Sequence, residues 1–474
     1  RDRQKPTRER SSRSALAVIE QADTLVRERD RSPARGAVVV GGQQPGPDDE
    51  NAKVFARERL DDRLAHRLKR EIGAWAARRE QHDQTRTVAI GVWVGAGARD
   101  EPAEIAGTSH FVEHLLFKGT AERSATDISQ AVDRVGGDIN AFTAKEYTAY
   151  YCRVPARHAA TGIDLLGDLV AAPALRDADI DSERQVILEE LAMDDDSPED
   201  VVHRAFAAAV FGDHPLGRDT AGDRDSVLAV TPADLREFHR RRYVTGNTVV
   251  AVAGAVDPDE IVDQVTKAFD PLTVGESEHE RSAPDPVDKH AGRPVAIDDD
   301  TEQVHMVVGG QAPRRLDPDR EALDIANHVL GGGLSSRLFD EIRERRGLAY
   351  SVFSAVASYD DAGTWSVYAG TLPEHADDVR GLIGAEIERL VAHGITENEL
   401  DIAQGYLAGS YEMGLEDSGA RMSRLGGQLT LLGELRSVEE QLDRWNAVTL
   451  DDVHRVVERV YGAADPATVT VGPV

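Results

Sequence analysis

The chain has 474 residues and a mass of 51.5 kDa, with 41% apolar side chains, 55 basic and 85 acidic groups, and a formal net charge of −30. That length suits two to four domains with hydrophobic cores of their own. The charge argues against nucleic acid or an anionic membrane as a partner for the bulk of the chain. Its single cysteine, Cys152, excludes an intrachain disulfide. No apolar run approaches the ~18–20 residues of a membrane span, and the opening shows no signal-peptide core, so the expectation is a cytoplasmic protein.

Charge is spread unevenly. Residues 1–90 hold 20 Lys and Arg against 15 Asp and Glu, net +5, which leaves 35 against 70, net −35, for 91–474. The first stretch opens RDRQKPTRERSSR and passes GGQQPGPDDEN, a loop by its Gly, Pro and Asp content. It then sets Leu60, Leu64, Leu68, Ile72 and Trp75 on one helical stripe. Three readings of residues 1–84 fit this text: a basic extension, ordered or disordered, with a loosely docked helix; a partner-binding or targeting arm; or a misassigned start.

Further along, AIGVWVGAGA and VVAVAGAV read as strands, while HFVEHLLFKGT and SERQVILEELAMDDD read as helices. The chain then repeats itself at an offset of 218. TPADLREFHRRRY from Thr231 matches TLDDVHRVVERVY from Thr449, each a helix opened by a Thr with an acidic residue three positions later. TAYYCRVPARHAATGIDLL matches WSVYAGTLPEHADDVRGLI, with Pro155 falling on Pro373, and TVAIGVWVGAG lines up with HMVVGGQAPRR. Three matches at one offset predict a duplicated domain, over about 85–275 and 293–474, joined by a polar linker at 276–292. Strands early, helices after them and a closing strand suggest an α+β fold, each half a largely antiparallel sheet with helices packed on one face.

His110, Glu113 and His114 form an H-x-x-E-H arrangement. On a helix, residues four apart share a face, so both imidazoles can hold one zinc ion with Glu113 beside the second ligand. This is the inverted zincin motif. A catalytic zinc takes a third protein ligand, and the candidates are Glu183, Glu189 and Glu190 of the second helix. Glu183 and Glu190 are two turns apart and share a face, Glu189 points away, and Val186 and Ile187 mark the buried side.

These motifs resemble the pitrilysin/insulinase family of zinc metallopeptidases, and in particular its small two-domain members related to bacterial and mitochondrial processing peptidases. The resemblance covers about 85–474. It implies that the third ligand is the last Glu of ERQVILEE, 76 residues beyond His114, which selects Glu190. It makes Glu183 the carboxylate that orients a ligating imidazole; read alone, Glu183 also fits a helix-surface acid. In GGDINAFTAKEYTAYY it places Asn140 and Ala141 on an edge strand that pairs with the substrate backbone. In SSRLFDEIRERRGLAYSV it selects Arg343 and Tyr350 as donors to the substrate carbonyl and the oxyanion.

At the repeat offset Glu113, His114 and Glu190 fall on Gly331, Gly332 and Ala408, so the expectation is one Zn²⁺ per chain, in the first half. His328 stands opposite His110 without companions, as a packing or surface histidine. The family's first domain opens with a strand about 40 residues before the zinc helix. RPVAIDD supplies it in the second half, whereas KREIGAWAARREQHDQ does not read as one, so the first half's opening strand is expected to be absent or replaced.

The resemblance implies a zinc endopeptidase acting on peptides, unfolded protein or presequences through a zinc-bound water, with Glu113 as the proton carrier. It also implies a clam-shell homodimer, or a heterodimer with a related subunit, in which Arg343 and Tyr350 complete the partner's site. The alternative from another class is a non-catalytic subunit kept for scaffolding or substrate presentation. The −35 body suits basic or unfolded peptides, although an acidic surface with seven Lys against 48 Arg also fits solubility or salt adaptation.

Overall fold

A computed structural model describes residues 85–276, 281, 283–284, 294–463 and 466–473, together with two short strands, β1 (Ala37–Gly41) and β2 (Lys53–Ala56). After β3 (Thr87–Val94) come helices α1 (Thr108–Leu116) and α2 (Ala125–Val135) and the hairpin β4 (Asp138–Thr143) and β5 (Thr148–Pro155). Helices α3 (Ala159–Ala171), α4 (Asp177–Asp195), α5 (Pro198–Phe211), α6 (Arg224–Ala229) and α7 (Pro232–Arg242) follow, then β6 (Thr248–Gly254) and α8 (Pro258–Ala268). The second half runs through β7 (Val295–Asp298), β8 (Val304–Ala312), α9 (Arg320–Asn327), β9 (Ala349–Ser358) and β10 (Gly363–Thr371). It ends with α10 (Ala376–His393), α11 (Glu397–Gly414), α12 (Ser418–Leu432), α13 (Val438–Asn446), α14 (Leu450–Val460) and β11 (Ala467–Gly472).

The repeat holds at the level of single hydrogen bonds. Thr231 opens α7 by accepting the Asp234 N–H at 3.2 Å and donating its own N–H to the Asp234 carboxylate at 2.9 Å. Thr449 and Asp452 do the same for α14, at 3.2 and 3.0 Å. Each box satisfies two amides that a helix start leaves without an internal partner.

The first sheet has the order β2-β1-β6-β3-β5-β4 and the second β7-β11-β8-β10-β9. All neighbours are antiparallel except β1 with β6 and β7 with β11. In these two parallel pairs Val39 lies opposite Ala251 and Val295 opposite Val469, so Val39 occupies the place in its sheet that Val295 occupies in the other. The opening strand of the first half is therefore replaced rather than absent. It is supplied by AVVVG, inside the stretch read as an extension, and β2 adds a further strand beyond it. Val39 and Val295 are 256 residues apart against the repeat's 218, so the first half carries 38 extra residues between its opening strand and β3. The helical stripe expected from Leu60 to Trp75 and the segment 69–84 lie outside the described residues, as does most of the linker.

Helices cover both faces of each sheet, one face more than the sequence reading anticipated. Val88, Ile90, Val92 and Val94 of β3 face a core shared with Phe111, Leu115 and Leu116 of α1 and Ile163 and Leu166 of α3. Ala89 and Trp93 face the other way, onto Met422, Leu425 and Leu429 of α12, which belongs to the second half. Reciprocally, Val202, Phe206 and Val210 of α5 pack on Val307, Val469 and Val471 of the second sheet. Helices α5 and α12 are counterparts in the repeat, so the halves exchange equivalent helices. Burial on both faces explains why TVAIGVWV is apolar throughout instead of alternating. The Trp93 ring lies so close over Gly91 and Gly426 that neither position has room for a Cβ. Among the described residues no helix is long and apolar enough to cross a membrane.

Candidate metal centre

Helix α1 presents the motif. Phe111, Val112, Leu115 and Leu116 are buried, which turns His110 and His114 outward together. The helix starts from Gly107 in a left-handed conformation, φ 92°, a backbone that L side chains rarely adopt. The buried Glu101 carboxylate accepts the Gly107 N–H at 2.6 Å and the Ser109 N–H at 2.5 Å, placing an acceptor at the positive end of the helix. Burial pushes Glu101 up to about 7, against the hydrogen bonds from Ser109 and Gly107 and the charge of Arg218. Nothing in the sequence singled Glu101 out; it lies outside the motif, in the loop before the helix.

Glu190 reaches the two imidazoles from α4, and one donor atom from each of His110, His114 and Glu190 lies within 4.8 Å of the others. The Nε2 atoms of His110 and His114 are 3.1 Å apart, and Glu190 Oε2 is 3.4 Å from His114 Nε2 and 3.9 Å from His110 Nε2. Glu183, one helical repeat earlier and buried, stands 3.0 Å from His114 Nδ1 and pairs through its other oxygen with Lys118. A carboxylate there accepts a hydrogen bond from Nδ1–H, the tautomer that turns the Nε2 lone pair towards the other two donors. Burial, with His114 beside it, pushes His110 down to about 3, so its imidazole is neutral. Two imidazole nitrogens and a carboxylate converging on one point, with Glu190 half exposed on the solvent side, fit a zinc ion with an open coordination position. Val186, expected on the buried side of α4, is instead partly exposed: Ile187 faces the core, and Val186 shares the outward stripe with Glu190.

Glu113 lies on the inner flank of this cluster. Its Oε2 accepts the Thr143 hydroxyl at 2.5 Å. Burial raises its pKa, opposed by the Thr143 hydrogen bond and the charge of His114 and assisted by Glu190. Thr143 was missed from sequence, although it sits two residues beyond Ala141 on the same face of the strand, which was the available signal. Asn140 and Ala141 are on β4, at the edge of the first sheet, where β5 is the strand's sole partner among the described residues. The Ala141 N–H is occupied by the Asn140 side-chain oxygen at 2.8 Å.

Arg343 and Tyr350 are brought to each other and not to the metal cluster. The Arg343 guanidinium lies over the Tyr350 ring at 4.5 Å and the Phe339 ring at 4.8 Å, and donates to the Tyr350 carbonyl at 3.2 Å. Tyr350 is 79% exposed. Among the described residues, their hydrogen bonds, ion pairs and ring contacts stay within the second half. The chain segment matching His110–His114 in the second half, His328–Gly332, is wound as a π-turn. His328 is buried there and stacks on Tyr406 at 4.2 Å, a packing role.

A duplicated α+β sheet pair thus carries one H-x-x-E-H…E donor set among the described residues, in the first half. Residues 79–224 match the insulinase family (peptidase family M16), and residues 229–407 match the peptidase M16 inactive domain. An uncharacterized zinc protease of Mycobacterium leprae is 46% identical over 389 residues, spanning 80% of this chain and 86% of its own. One of Bacillus subtilis is 34% identical over 397 residues, 83% of this chain and 95% of its own. Among solved structures, a protease from Helicobacter pylori superposes with a TM-score of 0.78 at 24% identity, over 83% of this chain and 95% of that one. A peptidase M16 inactive domain from Pseudomonas fluorescens gives 0.77 at 21%, over 82% and 93%. This chain belongs to the M16, pitrilysin/insulinase-type family.

Proposed function

We propose that the chain is a zinc-dependent endopeptidase with one Zn²⁺ per chain, hydrolysing peptides, unfolded protein or presequences. The observation that carries this reading is the pairing of a complete donor set, His110, His114 and Glu190, with a half-buried carboxylate, Glu113, beside it. When bound, zinc supplies a Lewis acid that polarises the scissile carbonyl and acidifies water. Glu113 takes the proton of the attacking water on its carboxylate and returns it to the leaving amine. Thr143 fixes the carboxylate that does so. Strand β4 offers its free edge to an extended substrate, whose backbone competes with the Asn140 side chain for the Ala141 N–H.

Arg343 and Tyr350 act, in this reading, on the substrate held by a partner subunit, in a homodimer or a heterodimer with a related chain. The exposure of Tyr350, and polar and ring partners for both residues that lie within the second half, support that role. The acidic body draws in basic peptides. Chelation tests the metal requirement: cleavage of an unstructured peptide should stop on removal of zinc and return on its addition. Cleavage that survives complete metal removal would defeat the reading. A chain that binds zinc but never cleaves would support the scaffolding alternative instead.

A further inference from the structure

The turn closing the β4–β5 hairpin, residues 144–147, holds a second concentration of charge that the metal centre does not use. Glu146 is 3% exposed, yet its carboxylate meets cations from three separate parts of the chain. Arg99, ahead of α1, donates to Oε1 at 2.7 Å, and Arg315, in the loop after β8 of the second half, bonds to Oε2. Arg281, from the segment between the halves, stands 3.9 Å from Oε1 and donates to the Glu146 carbonyl at 3.0 Å. The Asp360 N–H, in the β9–β10 turn of the second half, donates to Oε1 at 3.0 Å. Asp361 accepts from Nη2 of Arg99 at 2.5 and 2.6 Å, and Asp100 accepts from Arg281 at 2.7 and 2.8 Å. Three guanidinium groups thus balance three carboxylates.

Such a cluster is a weak argument for stability, because apolar side chains of similar volume often do as well once desolvation is counted. What it supplies is location: a carboxylate addressed from four directions has one place to sit. That location is passed on through the backbone. The Ala98 and Arg99 N–H groups donate to the carbonyls of Ala144 and Lys145 at 3.1 and 2.8 Å, and the Ala144 N–H donates to Tyr147 at 2.8 Å. Thr143, which holds Glu113, is the next residue along the strand.

We propose that Glu146 is a positioning residue, through which the second half holds the edge strand and the Thr143–Glu113 pair in place. The inference rests on the peptidase reading above. It assigns the second half a task within its own chain, distinct from anything it offers a partner.

The test uses the full-length, zinc-loaded chain with Glu146→Gln and, separately, Arg315→Met, which leaves the hairpin itself unaltered. Zinc per chain, steady-state kinetics on a peptide and amide hydrogen exchange along 138–147 are measured for each. The expected result is unchanged zinc content and kcat lowered on the order of 10- to 100-fold, with KM raised as well because the loosened strand is the one that binds the substrate backbone. Exchange in 138–147 should be faster in both variants, and the double variant should be no worse than the weaker single one, since both cut the same link. Should Glu146→Gln fail to fold, Arg315→Met and Asp361→Asn, at the edge of the cluster, still decide the matter. Unchanged exchange in 138–147 would overturn the proposal. So would wild-type kcat per zinc-loaded chain alongside a lowered melting temperature, the mark of a merely structural latch. A wild-type chain that cleaves nothing would defeat the functional reading, while the exchange data would still judge the latch.

Discussion

Glu113 and Thr143 show what single residues contribute here and how much of it a sequence can carry. The H-x-x-E-H spacing is local, set by helix geometry alone, so His110, Glu113 and His114 are legible in the amino-acid sequence by themselves. Glu190 and Glu183 needed the family spacing to choose them among neighbouring acids; Thr143 was signalled only by its place on the same strand face as Ala141, and Glu101, which reaches α1 from the loop before it, had no signature at all. Thr143→Val keeps the shape and removes the donor. A hydrogen bond to a charged group is worth about 1.5–3 kcal/mol, so kcat/KM should fall roughly tenfold or more while zinc stays bound. Titration calorimetry with zinc and a continuous peptide assay check both halves of that statement.

At the scale of elements, the repeat made the helices and central strands readable, since the same period and caps occur twice. The opening strand β1 was not readable, because AVVVG is short, lies within the Arg-, Gly- and Pro-rich stretch read as an extension, and pairs with β6 some 210 residues away. The capping of α11 supplies a pH test. Burial pushes Glu399 up, but the hydrogen bonds from Arg337 at 2.7 and 2.8 Å and from the Thr396 N–H at 2.7 Å outweigh it and hold the carboxyl down at about 2. Between its ordinary value of 4.5 and 2 the unfolded state therefore binds more protons than the folded one. The stabilisation is fully present above pH 4.5 and is lost as pH falls towards 2. Acid unfolding followed by circular dichroism should show a shallower loss in that window for Glu399→Gln than for wild type; identical slopes would contradict the assignment.

At the scale of the whole molecule, the two halves are interlocked by exchanged helices and joined by the Glu146 cluster, so the second half is no detachable appendage. The duplication was legible in sequence, whereas the exchange was not: an apolar face on α5 or α12 does not say which sheet it covers. If Arg343 and Tyr350 serve a partner subunit, chains carrying Glu113→Gln and chains carrying Arg343→Ala are each inactive as homodimers. Mixed together, they should regain about a quarter of wild-type activity under random pairing, since half the dimers then carry one intact site. No recovery on mixing would argue that each chain completes its own site.

The central claim is that Glu113 moves the proton at a zinc site built by His110, His114 and Glu190. The most direct measurement is zinc content and peptide cleavage on wild type and Glu113→Gln side by side. The account predicts about one zinc in both and cleavage in wild type alone, with Glu113→Gln lowered by a factor of at least about 10². Equal cleavage by the two chains, or a wild type that binds no zinc, would contradict it.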